Sequence, residues 1–182
     1  LKDLYGLPVR VRLLIQFLAA LTLPLCGLVL SDLCGFMTIG VMPFWLSYPL
    51  TVLIIVAVVN AVNMFDGIDG LLSSYAMLCM LCFGLCFHDS NNMVYCLITA
   101  SMVGGLMVFF CRNVFGSIEA RSKIDMGNSG SLTLGFSLAY LTLKFIIAED
   151  KSSFDYQERM LVCFSLLFVP CIDLVRVFFE RI

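Results

Sequence analysis

Long apolar runs alternate with short polar breaks along the whole of the 182-residue chain. A helix needs about 20 apolar residues to cross a bilayer, and six stretches approach or exceed that length. A backbone in lipid must satisfy its own hydrogen bonds, so each stretch is predicted to be a helix. The predicted spans are 11–31, 46–65, 70–88, 93–112, 131–148 and 159–178.

Composition agrees with this pattern. Hydrophobic residues make up 61% of the chain and charged residues 13%, whereas soluble domains carry about 25% charged residues. A soluble core could not bury so much apolar surface, and a disordered chain would not contain it. The net charge of −2, with no basic stripe, excludes a nucleic-acid binder. We therefore predict an all-α, polytopic membrane helical bundle of about six transmembrane helices, with residues 1–182 in a single membrane-embedded domain.

The distribution of basic residues predicts the orientation. Six spans place the N-terminal segment, the turn at Asp66, the loop 113–130 and the C-terminus on one side. That side carries eight basic residues, Lys2, Arg10, Arg12, Arg112, Arg121, Lys123, Arg176 and Arg181, and the other side carries three. Basic residues concentrate in cytoplasmic loops, so the Asp66 side is predicted to face the cytoplasm.

A polar stripe crosses the end of the second span. Asn60, Asn63, Asp66 and Asp69 recur every three residues, so consecutive members are neighbours on a helix. Polar groups this close to the bilayer are costly and indicate function. Helix capping is the alternative: Asp66 could cap the third span, with Asp69 in its first turn. Capping does not account for Asn60 or Asn63, so we interpret the stripe as part of an active site.

Two further polar segments are predicted on the same face. Residues 123–131 form a Gly- and Ser-rich turn that opens the fifth span, and such a helix start suits a phosphate. Lys2 and Asp3 precede the first span. Carboxylates, amides, basic residues and an anion-friendly helix start together favour a phosphate reaction that uses Mg²⁺, which prefers oxygen ligands.

These motifs resemble those of a known family. The run NAVNMFDGIDGL at 60–71 is similar to the signature of the polyprenyl-phosphate N-acetylhexosamine-1-phosphate transferases, the family four glycosyltransferases. Residues 126–131 resemble the family's second signature, which reads Met-Gly-Asp, a small residue and Gly-Ser. Residues 1–7 resemble the segment directly after the family's paired aspartates, with Asp3 at the third acid. The resemblance extends over the whole chain.

The resemblance implies a membrane enzyme with cytoplasmic active-site loops in a bacterial inner membrane. It would transfer a sugar-1-phosphate from a UDP-N-acetylhexosamine to a polyprenyl phosphate such as undecaprenyl phosphate, with release of UMP. The cofactor would be Mg²⁺, or Mn²⁺ in its place, and the product would start cell-wall or surface-polysaccharide synthesis. Met64 and Phe65 before Asp66 resemble the N-acetylglucosamine-1-phosphate branch. A homodimer is left open.

The resemblance also implies that the chain is a fragment. Paired aspartates and further spans are expected before Leu1, and a His-containing cytoplasmic loop after Ile182. It assigns roles to individual residues as well. The catalytic group would be Asp66, Asp69 and Asp3; the metal group Asn63, Asn128 and Asp66; and the substrate group Asn60, Asp69, Asn113, Gly127 and Ser129, with Asp69 and Asn113 near the uracil.

One departure from the family lies within the chain. Asn128 stands where the family has Asp, and an amide oxygen brings no negative charge, so metal affinity should fall. Asp125 is expected to compensate only weakly, because the turn at Met126 and Gly127 points it elsewhere.

Two other interpretations remain open. The chain could be a catalytically weakened homologue that binds the lipid or the nucleotide sugar without turnover. It could also be a transporter, although such proteins usually place polar groups near the bilayer midplane, and here the polar stripe drifts to one face.

Overall fold

The computed structural model describes residues 9–32, 42–116, 123–148 and 154–180. The regular elements in these ranges are α-helices, namely α1 Val9–Leu25, α2 Phe44–Met64, α3 Leu71–Asp89, α4 Met93–Val114, α5 Gly127–Ile147 and α6 Tyr156–Glu180. The helices α2 to α6 each contain a segment long and apolar enough to cross a membrane. The all-α bundle predicted from the sequence is confirmed. The helices α1, α3 and α5 begin at one end of the bundle, and α2, α4 and α6 finish there. We call it the Asp66 end.

The first predicted span, 11–31, is wrong in its extent, because α1 ends at Leu25. Gly27 has a φ of +86°, a conformation that glycine adopts without steric cost. Its N–H donates to the Pro24 carbonyl at 3.0 Å, and the Leu28 N–H donates to the Leu23 carbonyl at 3.1 Å. This pair of bonds is a Schellman C-cap. The remaining 17-residue helix is shorter than the other five.

The centre of the bundle is the contact between α2 and α5. A Cβ atom added at Gly135 of α5 would lie 3.0 Å from Cα and 3.2 Å from the carbonyl oxygen of Val59 in α2. Glycine therefore allows the two backbones to approach closely, as small residues commonly do between membrane helices. Toward the opposite end, the fully buried ring of Phe145 meets the fully buried rings of Phe83 and Phe87 edge to face, at centroid distances of 6.2 and 5.6 Å.

The outer surface of the bundle is apolar. In the membrane-length window of α4 only 11% of residues are buried, against 56% for α5. Leu97, Met107 and Val108 of α4 are each more than 60% exposed. In water such a face would be strongly unfavourable, whereas lipid chains solvate it.

The Gly135 contact yields a stability prediction. We expect Gly135→Ala to destabilise the bundle by about 1–3 kcal/mol, because the new methyl group overpacks the backbone of α2. Gly104→Ala is the matched control, since nothing lies within 4 Å of a Cβ at that helical position. The control should be neutral or slightly stabilising. The measurement is the unfolding temperature of both variants in detergent, and equal changes in the two would contradict this account of the α2–α5 contact.

Candidate functional site

The turn between α2 and α3 carries two of the predicted acids. Gly70, with a φ of +79°, is the N-cap of α3, and no side chain caps this helix. A Cβ at Gly70 would lie 2.5 Å from a methyl group of Val114, so the turn packs tightly onto the end of α4. Capping is therefore not what occupies the carboxylates of Asp66 and Asp69, and the capping interpretation of the stripe is wrong.

Asn113 fastens this turn to the loop that precedes α5. The side chain is 6% exposed. Its Oδ1 accepts a hydrogen bond from the N–H of Gly70 at 2.6 Å, and its Nδ2 donates to the carbonyl of Ile124 at 2.9 Å. Asn113 thus positions two loops of the site, and the uracil contact expected for it stays a prediction.

Asp69 is exposed and forms an ion pair with Lys123. The Lys123 Nζ donates to the Asp69 Oδ2 at 2.5 Å. This hydrogen bond is the main cause of a raised pKa at Lys123, which is therefore firmly cationic at neutral pH. The pair joins the α2–α3 turn to the loop before α5 a second time, and it occupies one oxygen of the carboxylate that was predicted to contact the nucleotide base.

Asp66 is half-buried, and the charge of a second carboxylate, Asp125, acts on it. Its pKa is raised above the ordinary value, first by desolvation on burial and then by the negative charge of Asp125. The charge of Asp125 therefore acts on Asp66, and the weak compensation expected of Asp125 stays a prediction. A site with two neighbouring carboxylates favours a cation between or beside them.

Asn63 is held at the start of α5. The Ser131 hydroxyl donates to the Asn63 Oδ1 at 2.8 Å, and Ser131 is fully buried. Ser131 lies one turn before Gly135, so the close α2–α5 contact sets this distance. The helix itself begins at Gly127, four residues earlier than predicted, and has no side-chain cap. Its first N–H groups, near the exposed Gly127 and Ser129, therefore remain available to an anion.

Asn128 faces a cation of α1. The Arg12 Nη1 donates to the Asn128 Oδ1 at 3.5 Å, the limit of a hydrogen bond. A guanidinium at this distance opposes a metal ion on the same oxygen. The structure thus gives Asn128 an arginine neighbour in addition to the missing charge identified from the sequence.

Asn60 lies deeper in the bundle and pairs with α1. Its Nδ2 donates to the Gln16 Oε1 at 3.0 Å and to the Val56 carbonyl at 2.8 Å. Asn60 is therefore the innermost member of the polar stripe, and it links α2 to α1.

The oxygen donors present fit a magnesium ion only in part. Asp66, Asp125 and Asn63 supply the oxygen ligands that Mg²⁺ prefers, and Mg²⁺ commonly takes few protein ligands. Asn128 does not fit, because its oxygen faces Arg12. Across the described ranges, no three His, Cys, Asp or Glu side chains are grouped so that they could hold a metal ion.

Several contributors to the site were missed in the sequence. The sequence pattern placed Arg12 only among the basic residues that set the orientation, and Lys123 only among those and in a polar loop. It did not identify Gln16 or the role of Ser131. A polar residue inside a predicted span was the available signal for Gln16. Asp3 lies outside the described residues.

One comparison with known proteins identifies a family. Residues 1–146 match the profile of the family described as Glycosyl transferase family 4. Neither a curated protein nor a solved structure matches the chain significantly.

The carboxylate pair predicts a measurable titration. Asp125→Asn should lower the pKa of Asp66 toward its ordinary value, because one of the two causes of the increase is removed. A raised pKa in the folded state stabilises the fold at low pH, and this contribution is lost as the pH rises through it. In Asp125→Asn the unfolding free energy should therefore fall less steeply as the pH rises from the ordinary aspartate pKa to the raised pKa of Asp66.

The readouts are the ¹³C carboxyl titration of Asp66 by NMR and the unfolding free energy against pH. Asp155→Asn is the control, since Asp155 is exposed and precedes α6 at the opposite end. An unchanged Asp66 titration in Asp125→Asn would show that the two carboxylates do not interact.

Proposed function

The chain belongs to glycosyl transferase family 4, and from this premise we propose that it transfers N-acetylglucosamine-1-phosphate from UDP-N-acetylglucosamine to undecaprenyl phosphate. An oxygen of the lipid phosphate attacks the phosphorus that carries the sugar. The bond from that phosphorus to the oxygen it shares with the UMP phosphorus breaks, and UMP leaves. One pyrophosphate linkage replaces another, so the site must hold two phosphorylated substrates together.

The observation that carries this proposal is the juxtaposition at the Asp66 end. The uncapped start of α5 is tied to Asn63 through Ser131 at 2.8 Å. The carboxylates of Asp66 and Asp125 interact beside it, and Arg12 contacts Asn128 in its first turn. Backbone N–H groups and a guanidinium suit phosphate oxygens, and the carboxylates suit a cation that bridges phosphates.

Individual residues then take distinct roles. Asp66, with Asp125 and Asn63, would hold Mg²⁺, which when bound would neutralise the charge on the transferring phosphate. The N–H groups at the start of α5, around Gly127 and Ser129, would orient a phosphate. Asp69 would contact the uracil once Lys123 releases it. That exchange costs little, because solvent screens an exposed ion pair.

An apolar groove supports a lipid substrate. A cavity of about 540 Å³ lies between α1 and α2, lined by Phe17, Leu21, Tyr48, Pro49, Val52, Leu53 and Val56. The carbonyl of Val56 accepts the hydrogen bond from Asn60, so the groove leads to the polar stripe. An isoprenoid chain in this groove would direct its phosphate toward the Asp66 end.

The proposed setting is a bacterial inner membrane with the Asp66 end toward the cytoplasm. The excess of basic residues on that side supports the orientation, and nucleotide sugars occur in the cytoplasm. The product would start assembly of a cell-wall or surface polysaccharide.

Removing either predicted acid tests the assignment. Asp66→Asn and Asp69→Asn should each abolish the exchange of labelled UMP into UDP-N-acetylglucosamine, since the first loses its cation-binding charge and the second its base contact. The assay uses purified protein with Mg²⁺ and undecaprenyl phosphate. Asp155→Asn, at the opposite end, should exchange like the wild type. Wild-type exchange in Asp66→Asn would refute the active-site assignment.

A second candidate function rests on Asn128. An uncharged residue that faces Arg12 at 3.5 Å favours a homologue that binds nucleotide sugar with weak or no turnover. If this is so, the wild type binds UDP-N-acetylglucosamine but releases little UMP, and Asn128→Asp increases the release.

For an active wild type, substitutions at position 128 in the first turn of α5 and at position 125 before it should shift the metal requirement in opposite directions. Asn128→Asp adds a carboxylate and should lower the Mg²⁺ concentration for half-maximal UMP release, whereas Asp125→Asn removes one and should raise it. A magnesium titration of initial rates measures both. The same direction in both variants would show that charge at these two positions does not govern metal binding.

A further inference from the structure

Two buried donors on α1 have no hydrogen-bond partner among the described residues. They are the Nε of Arg12 and the Nε2 of Gln16, which lie one helical turn apart and therefore on the same face. Gln16 is only 9% exposed. An unpaired N–H group inside an apolar bundle is unfavourable, and native structures seldom retain one without a reason.

The orientation of the Gln16 amide is fixed by its neighbours. One amide atom of Asn60 lies 2.8 Å from the Val56 carbonyl, which can only accept a hydrogen bond, so that atom is the nitrogen. The Gln16 atom 3.0 Å from this nitrogen must then be the acceptor, Oε1. The N–H₂ group of Gln16 is consequently the end without a partner, because turning either amide would place two donors or two acceptors together.

The surroundings indicate what this donor pair would bind. Two N–H donors, one of them on a guanidinium, suit an anionic oxygen. Phe17, the next residue along α1, lines the apolar groove, and Asn60 stands above that groove on α2. Gln16 therefore lies where an apolar chain in the groove would end and a polar head would begin.

We propose that Gln16 is a phosphate-binding residue, whose amide N–H₂ group donates to a phosphate oxygen at the head of the groove. Solvent does not reach either nitrogen, so the amide or the guanidinium turns to meet the oxygen. The Arg12–Asn128 hydrogen bond, at 3.5 Å, is the weak contact that breaks when the guanidinium turns. The proposal rests on the proposed function for its ligand class, and that phosphate belongs to the lipid or to the nucleotide sugar.

The sequence offers a direct spectroscopic test, because it contains only two glutamines, Gln16 and Gln157. Protein labelled with ¹⁵N at glutamine should give two side-chain amide signals. Farnesyl phosphate should shift the Gln16 signal, and farnesol, which has the same chain without phosphate, should not. Gln157 is exposed in the first turn of α6, at the end of the bundle opposite the Asp66 end. It therefore serves as the internal control. A Gln16 signal that responds equally to both lipids would overturn the proposal.

Binding measurements on a variant complete the test. Gln16→Met keeps the length of the side chain and removes both polar atoms, so affinity for farnesyl phosphate should fall about 10-fold or more. The unfolding temperature should change little, because the loss of the unpaired buried Nε2 offsets the loss of the Oε1 that accepts from Asn60. Thr142→Val, which also removes a buried polar group but far from this end, should leave the affinity unchanged.

The remaining outcomes separate the sources. A loss confined to farnesyl phosphate assigns the oxygen to the lipid, and a loss confined to UDP-N-acetylglucosamine assigns it to the nucleotide sugar; both support phosphate binding by Gln16. A lower unfolding temperature with unchanged affinities would show a purely structural role and overturn the proposal. These readouts need no turnover, so absence of UMP release would refute the proposed function alone.

Discussion

The arrangement of the Asp66 end depends on the close approach of α2 and α5 at Gly135. Because a Cβ there would lie 3.0 Å from the Val59 backbone, only glycine allows the two helices their present spacing. One turn further along α5, that spacing lets Ser131 bond Asn63 at 2.8 Å. One contact therefore holds both the Asn63 oxygen of α2 and the uncapped start of α5, and a shift between the helices would separate them.

The polar contacts at this end differ in how firmly they hold. Asn113 is buried and bonds two backbone groups, and the loss of such bonds without water costs about 1–3 kcal/mol per unsatisfied group. The Asp69–Lys123 pair is exposed to solvent, and such a pair contributes little to stability. Asn113 thus fixes the loops, while the exchange of protein partners for a substrate, as proposed for the charged groups at their surface, would cost little.

The sequence predicted the helices well and the contacts among side chains poorly. Apolar length is a local property, so five spans were placed within a few residues, but the stop at Gly27 needed a backbone conformation that a hydropathy pattern does not reveal. The spacing of Asn60, Asn63, Asp66 and Asp69 located the site. It could not show that the charge of Asp125 acts on Asp66 or that Arg12 contacts Asn128, because these pairs form only after distant helices pack.

The charge balance at the site argues for anion binding as much as for metal binding. An aspartate at position 128 would offer the Arg12 guanidinium a full ionic partner, whereas the amide of Asn128 offers one long hydrogen bond of 3.5 Å. Arg12 therefore keeps most of its charge available beside the positive end of α5. Asp66 and Asp125 repel each other on the neighbouring turn and loop, so a cation is still favoured there. With Asn128 in place of an aspartate, the site has a side that favours a cation, at Asp66 and Asp125, and a side that favours an anion, at Arg12 and the start of α5. A phosphate that reaches both sides would join them.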